Sequence, residues 1–183
     1  MGIGYKLFRA KKEKENGKEK TVLYPLYVLA SQPLEMGAWL EAECGERLEN
    51  GKVKSRLGPL AYRPGWHIND ETPYVEHIYT LHDGRKYQKD GTVWCEVEYS
   101  DDINYQAEAE KAGTNAKGKV TERNAFLHYI PENGYYRYKT SPQMYGTWII
   151  AGKMKIIKII SEKEVRELCR KKGLEPLPVW KEK

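Results

Sequence analysis

No run of about 18 apolar residues occurs in the chain, so no segment is suited to cross a bilayer as a helix. The opening residues MGIGYKLFRAKKEKE lack the apolar core of a secretory signal, and Gly2 is followed by Lys6 where a myristoylation site prefers Ser or Thr. These absences give the expectation of a cytoplasmic protein without a membrane partner. Cys44, Cys95 and Cys169 are odd in number, far apart and form no CxxC pair, which argues against a disulfide framework and a zinc knuckle. Also missing are the phosphate loop GxxxxGK[ST], the nucleophile elbow GxSxG and a GxGxxG after a strand. His67, His77 and His82 do not have the compact spacing of a metal motif, so neither metal nor cofactor is expected. Only an active site assembled from scattered residues survives these absences.

What is present is the composition of a folded globular domain, with 183 residues, 40% hydrophobic and 31% charged. The formal net charge is only +5, but its signs are segregated along the chain. Residues 51–67 carry Lys52, Lys54, Arg56 and Arg63 without an acid, and residues 133–160 carry Arg137, Lys139, Lys153, Lys155 and Lys158 without one. Acids gather at Glu41, Glu43, Glu46 and Glu49 and between Glu96 and Glu110. The expectation is a bipolar surface whose positive face attracts phosphates or an acidic protein.

The patterning predicts an α+β fold: a single domain over 1–183 with a mostly antiparallel twisted sheet, a few short helices and a capped C-terminal helix. GYKLFRA alternates as a first strand, Asn16-Gly17 marks a hairpin turn after a charged loop, and TVLYPLYVLA returns as a strand that Pro25 confines to an edge. EMGAWLEAE reads as a brief helix or a turn, and residues 53–68 as a structured loop with turns at Gly58-Pro59 and Pro64-Gly65. TVWCEVEYS is a strand with Val93, Cys95, Val97 and Tyr99 on a buried face. DDINYQAEAEKA predicts a helix ended by Gly113, TERNAFLHYIP a second one stopped by Pro131, and TWIIAGKMKIIKII a central strand pair divided by Gly152. The last helix opens on a Ser161/Glu164 capping box and closes at Gly173, followed by a Pro-rich tail, 174–183, lying on the surface.

Three constellations carry candidate chemistry. In Arg63-Pro64-Gly65-Trp66-His67, Arg63 can hold a phosphate or carboxylate, His67 can donate to it and Trp66 can stack; equally, the turn can be structural, its Trp filling the core. Tyr135 to Thr140 interleave aromatics with cations. With Arg56, they supply Tyr136 as a stacking residue and Arg137 and Lys139 as phosphate contacts to double-stranded DNA or RNA, or else a packed strand. Glu96 and Glu98 project from one strand face, as an acid/base pair or as a solvated outer face.

The pieces GYKLFR, LGPLAYRPGWH, VWCEVEY, GYYRYKT and MYGTWIIAGKMKI together resemble, over nearly the whole chain, a poorly characterised family of phages and mobile elements of gut bacteria. Anti-CRISPR proteins are similar in size and look. The resemblance implies a non-enzymatic counter-defence factor in the bacterial cytoplasm, whose partner is a CRISPR effector nuclease, Cas9 with its guide RNA. A second likeness is to ADP-ribosyltransferases. Arg9 in YKLFR is similar to the cation of their first strand and Glu96-Val97-Glu98 to their ExE, although Trp148 and Ile149 stand where their terminal strand can bear a catalytic Glu.

Overall fold

A computed structural model describes residues 1–75 and 80–179. His77 and Trp180 lie outside the described residues. Strand β1, Gly2–Glu15, is the longest element. It turns at Asn16-Gly17, both at positive φ, and returns as β2, Lys18–Tyr24. The charged stretch expected to be a loop is thus the outer half of a regular hairpin, paired from Arg9↔Tyr24 to Glu15↔Lys18. Lys12–Glu19 and Lys20–Glu15 ion pairs on its faces favour continued pairing over a loose loop. Pro25 ends β2 at Tyr24, so the strand expected to continue through 25–30 does not; of the named strands β2 pairs only with β1, an edge position as Pro25 predicts, with Leu23 making a single bridge to Leu34.

The remaining elements are β3 (Trp39–Glu41), β4 (Trp66–Asp70), β5 (Thr80–His82), β6 (Arg85–Tyr87), β7 (Thr92–Tyr99), β8 (Ile103–Asn104), α1 (Gln106–Lys117), β9 (Gly134–Tyr138), β10 (Trp148–Ala151), β11 (Lys153–Ile159) and α2 (Glu162–Lys171). β5 and β6 form a separate hairpin. The main sheet runs β3-β11-β7-β1-β4-β10-β9-β8, with β2 attached to β1, and only the β8–β9 pair is parallel. The fold is α+β, a single mostly antiparallel sheet with two short helices.

β10 and β11 lie four places apart in that order, yet Gly152 alone separates them in the chain. The sheet therefore curls. Its enclosed face buries Phe8, Ile68, Cys95, Val97, Ile149, Met154 and Ile156 under Leu23, Leu34 and Leu40. The opposite face carries Leu7, Trp94, Tyr136, Trp148 and Ile150 and is covered by Val165 and Cys169 of α2, Ala109 of α1 and the segment through Ala125 and Leu127. Two covered faces explain why WIIA of β10 is a continuous apolar run. They also correct the picture of β7, whose second face is closed by Trp94 instead of lying open to solvent.

Three helix expectations change. Trp39–Glu41 is a strand because it finds the free edge of β11. Gly113 does not end α1; the helix continues to Gly118, and Gly113 sits inside it because a Cβ there would overlap the Asn124 carbonyl. The 121–130 segment keeps only a 3-10 turn, Glu122–Asn124, since its apolar residues dock singly against the sheet and α1. The C-terminal helix is as expected: Ser161 Oγ accepts from Glu164 N at 3.1 Å, and Gly173 follows at positive φ. Beyond it, Gln88 N donates to Pro178 O at 2.9 Å, so the described part of the tail is tied to the 85–92 region.

Candidate functional site: a cationic cavity beside β1 and β4

β1 and β4 pair through only two positions, Gly4↔Asp70 and Tyr5↔Asn69. β2 joins β1 at Arg9, so Lys6, Leu7 and Phe8 have no strand on that side. The gap opens into a cavity of about 360 Å³, the size range of small-molecule sites. Leu7, Leu26, Val53, Trp66 and Trp148 are among its apolar walls, and the long connection from Pro25 to Gly65 forms its outer side. That connection is irregular but tied down: Val53 and Leu60 exchange backbone hydrogen bonds at 2.9 Å, and Arg56 bonds the carbonyls of Leu26 and Tyr27.

Lys6, Arg63 and His67 form the polar end. Lys6 Nζ donates to the His67 carbonyl at 2.7 Å. Among the described residues it forms no ion pair, and burial pulls its pKa down to about 8. The Arg63 guanidinium lies 3.5 Å from the centre of the Tyr138 ring, and its Nε is buried with no hydrogen-bond partner among the described residues. His67 Nδ1 stands 3.2 Å from the Gly65 carbonyl. A carbonyl only accepts, so the neutral ring carries its proton on Nδ1 and leaves Nε2 as an acceptor. Desolvation first, then the charges of Lys6 and Arg63, hold the His67 pKa at about 3, so the imidazole is neutral at pH 7. The lining side chains include one carboxylate, the exposed Glu43.

The segment Arg63 to His67 is therefore a site in space as well as in sequence. Trp66 begins β4 and packs on the enclosed face, its Nε1 donating to Leu40 O at 2.9 Å, so it serves as wall more than as stacking platform. Of the second constellation, Tyr138 and Thr140 reach the cavity, Tyr138 against Arg63, whereas the residues expected to bind do not line it. Tyr136 is fully buried, and its hydroxyl accepts from Leu127 N, which corrects its assignment as a stacking residue because neither ring face is open. Arg137, its neighbour on the other face, is engaged with Asp70 at 3.2 Å. Arg56 is exposed outside the cavity lining, and Lys139 is half-buried away from it.

Known protein families, curated proteins and solved structures show no match to this chain.

Acids also stand among the cations of the two basic segments. Strand pairing sets Lys153 opposite Glu41, Lys155 opposite Glu98 and Lys158 opposite Glu96; Lys158 also meets Glu164 at 3.5 Å, and Lys54 meets Glu46 at 3.6 Å. Segments that are segregated in sequence become partners across strands. A mobility shift of a 20-base-pair DNA duplex is accordingly expected to be absent at 150 mM salt, since acids stand beside cations of both basic segments and offset their pull on phosphates. Saturable binding under those conditions would show that these pairs leave an effective basic face.

Arg9 and the carboxylate pair are not assembled into one centre. Arg9 pairs in register with Thr92, four residues along β7 from Glu96, and its guanidinium bonds Ala30 O at 2.9 Å. Lys6 was missed in the sequence because it looks like the polar half of an alternating strand; its signal is a lysine on a strand whose neighbours, Leu7 and Phe8, are both core residues.

Proposed function

We propose that the protein is a binding module for a small organic acid, a ligand with an apolar body and one carboxylate or phosphate. The single observation carrying this reading is an apolar cavity holding two cations, Lys6 and Arg63, with no carboxylate at its inner end. An unpaired cation in such surroundings is costly, and an anionic head group offsets that cost while its apolar remainder fills the cavity. The neutral His67 adds hydrogen-bonding capacity without further charge.

A panel of aryl and alkyl carboxylates and phosphates, each beside its uncharged alcohol, tests this by calorimetry. The acids are expected to bind at least about tenfold tighter than the alcohols, and Arg63→Met to remove most of that margin, as fits loss of a charge-assisted hydrogen bond. Equal affinity for acids and alcohols, or none for either, would reject the reading.

A second reading draws on the resemblance to phage counter-defence proteins. What favours it is the edge strand β3, where Trp39 is exposed with Lys155 at 4.9 Å and Lys153 at 5.5 Å from its ring, an aromatic–cation cluster of the kind enriched at protein interfaces. In this version the chain docks on a CRISPR effector such as Cas9 through that edge. Undiminished target cleavage by Cas9 at high molar excess, with no complex on gel filtration, would end it.

A further inference from the structure

The geometry points to Lys6 as a carbonyl-trapping residue: an aldehyde or ketone bearing an acidic group enters the cavity, its anion settles against Arg63, and the Lys6 amine condenses with its carbonyl carbon. This rests on the small-acid reading of the same cavity and names the class of acid.

Three features of the site converge on it. The missing strand pairing at Lys6 to Phe8 opens the gap in the sheet at the cavity that this lysine lines. Among the described residues its Nζ has one acceptor, the His67 carbonyl at 2.7 Å, which fixes the position of the nitrogen without supplying a counter-charge. Arg63, whose buried Nε has no partner among the described residues, is a second cation in the same lining, so an anion held there places the rest of a short ligand in the lysine's cavity. Burial further favours the free amine, with a pKa of about 8 in place of the usual 10.5, and the free amine is the nucleophile.

The step balances without an oxidant or reductant. The nitrogen lone pair forms a bond to the carbonyl carbon while the C=O π pair moves to oxygen; one proton passes from nitrogen to that oxygen, giving a carbinolamine. The C–O bond then breaks, the second amine proton leaves with the hydroxyl as water, and a C=N bond remains. His67, with its pKa near 3, is too weak a base to keep either proton, so solvent in the cavity mouth relays them.

The experiment uses the full chain with 4-formylbenzoate and, separately, pyridoxal 5′-phosphate, in the presence of cyanoborohydride, which reduces the imine to a stable amine. Intact mass and peptide mapping locate the adduct. One adduct at Lys6 is expected, formed at least about tenfold faster than on any other lysine, absent in Lys6→Arg and slowed in Arg63→Met. Benzaldehyde, lacking the acid, should label Lys6 more slowly. In parallel, 4-methylbenzoate and pyridoxine 5′-phosphate report non-covalent binding. Binding of these with no preferential Lys6 adduct overturns the carbonyl proposal and leaves the small-acid reading standing, whereas failure of both arms removes both. Near-UV circular dichroism on Lys6→Arg separates loss of the nucleophile from loss of the fold. A Lys6 adduct rate unaffected by Arg63→Met, equal for benzaldehyde and 4-formylbenzoate, overturns the role of the acid.

Discussion

Gly152→Ala is expected to destabilise the protein by about 3 kcal/mol, the upper range for forcing a carbon into a packed site. A Cβ at this position would overlap the carbonyl group of Pro131 and the Cα of Glu132, all of it backbone, so no side chain can swing aside. The backbone on both sides is also committed: Gly152 N donates to Gly134 O at 3.1 Å, and Gly152 O accepts from Ala42 N at 2.8 Å. Gly152 is the point at which β10 becomes β11, so any shift there disturbs the pairings with β4 and β9 as well as those with β7 and β3. Urea unfolding measures the effect. Gly17→Ala provides the contrast: it occupies a hairpin turn at φ 78° with open space around it, and should cost only about 1 kcal/mol. A Gly152→Ala midpoint within experimental error of wild type would mean that the strand junction has room the structure does not show.

Acid should destabilise the wild-type protein through His67. The unfolded imidazole titrates near pH 6.5, whereas the folded one stays neutral down to about pH 3. Between these values the unfolded chain binds a proton that the folded chain refuses, so stability present above pH 6.5 is progressively lost as pH falls towards 3. The loss attributable to this one group is on the order of a few kcal/mol, reduced by whatever water wets the ring from the cavity. The groups facing the ring are Lys6, Arg63, the Gly65 carbonyl and the edge of Trp148, and none of them becomes anionic in that range. Carboxylates elsewhere titrate too, but equally in a His67→Gln variant. The measured quantity is therefore the stability difference between the two proteins, which should move in favour of the variant between pH 7 and pH 4. A difference that is flat with pH would show that His67 is solvated.

Most of the sheet was legible in the sequence because its signals are local. The alternation of β7, the Asn16-Gly17 turn, the edge-forming Pro25 and the Ser161 cap each act within a few residues, and each stands where it was read. What could not be read is what depends on partners remote in sequence. Trp39 to Glu41 is a strand only because β11 offers an edge, and Gly113 continues a helix only because the Asn124 backbone lies against it. Charge partners are remote in the same way: the runs of one sign do not tell that antiparallel pairing brings Glu41, Glu96 and Glu98 across from lysines. At the candidate site, Arg63, Trp66 and His67 stood out through their density in five residues. Lys6 did not, since its role arises from an absent neighbour strand, and the one local signal, its place beside the core residues Leu7 and Phe8, does not tell what the amine faces.

The cavity is built from two kinds of chain with different freedom to change. Its inner wall belongs to β1, β4 and β10, whose alternate residues fill the enclosed core, so a substitution there is felt on both sides of the sheet. Its outer wall belongs to residues 25–64, where Tyr27, Val28, Gln32 and Tyr62 line the space without holding strands together. Over evolutionary time the outer wall can therefore drift, altering the shape of molecule admitted, while Lys6 and His67 are kept in register by the curled sheet behind them and Arg63, at the end of that wall, by the Tyr138 ring of β9. Descendants of one ancestor would share the cationic end and differ in the bodies of the ligands they accept.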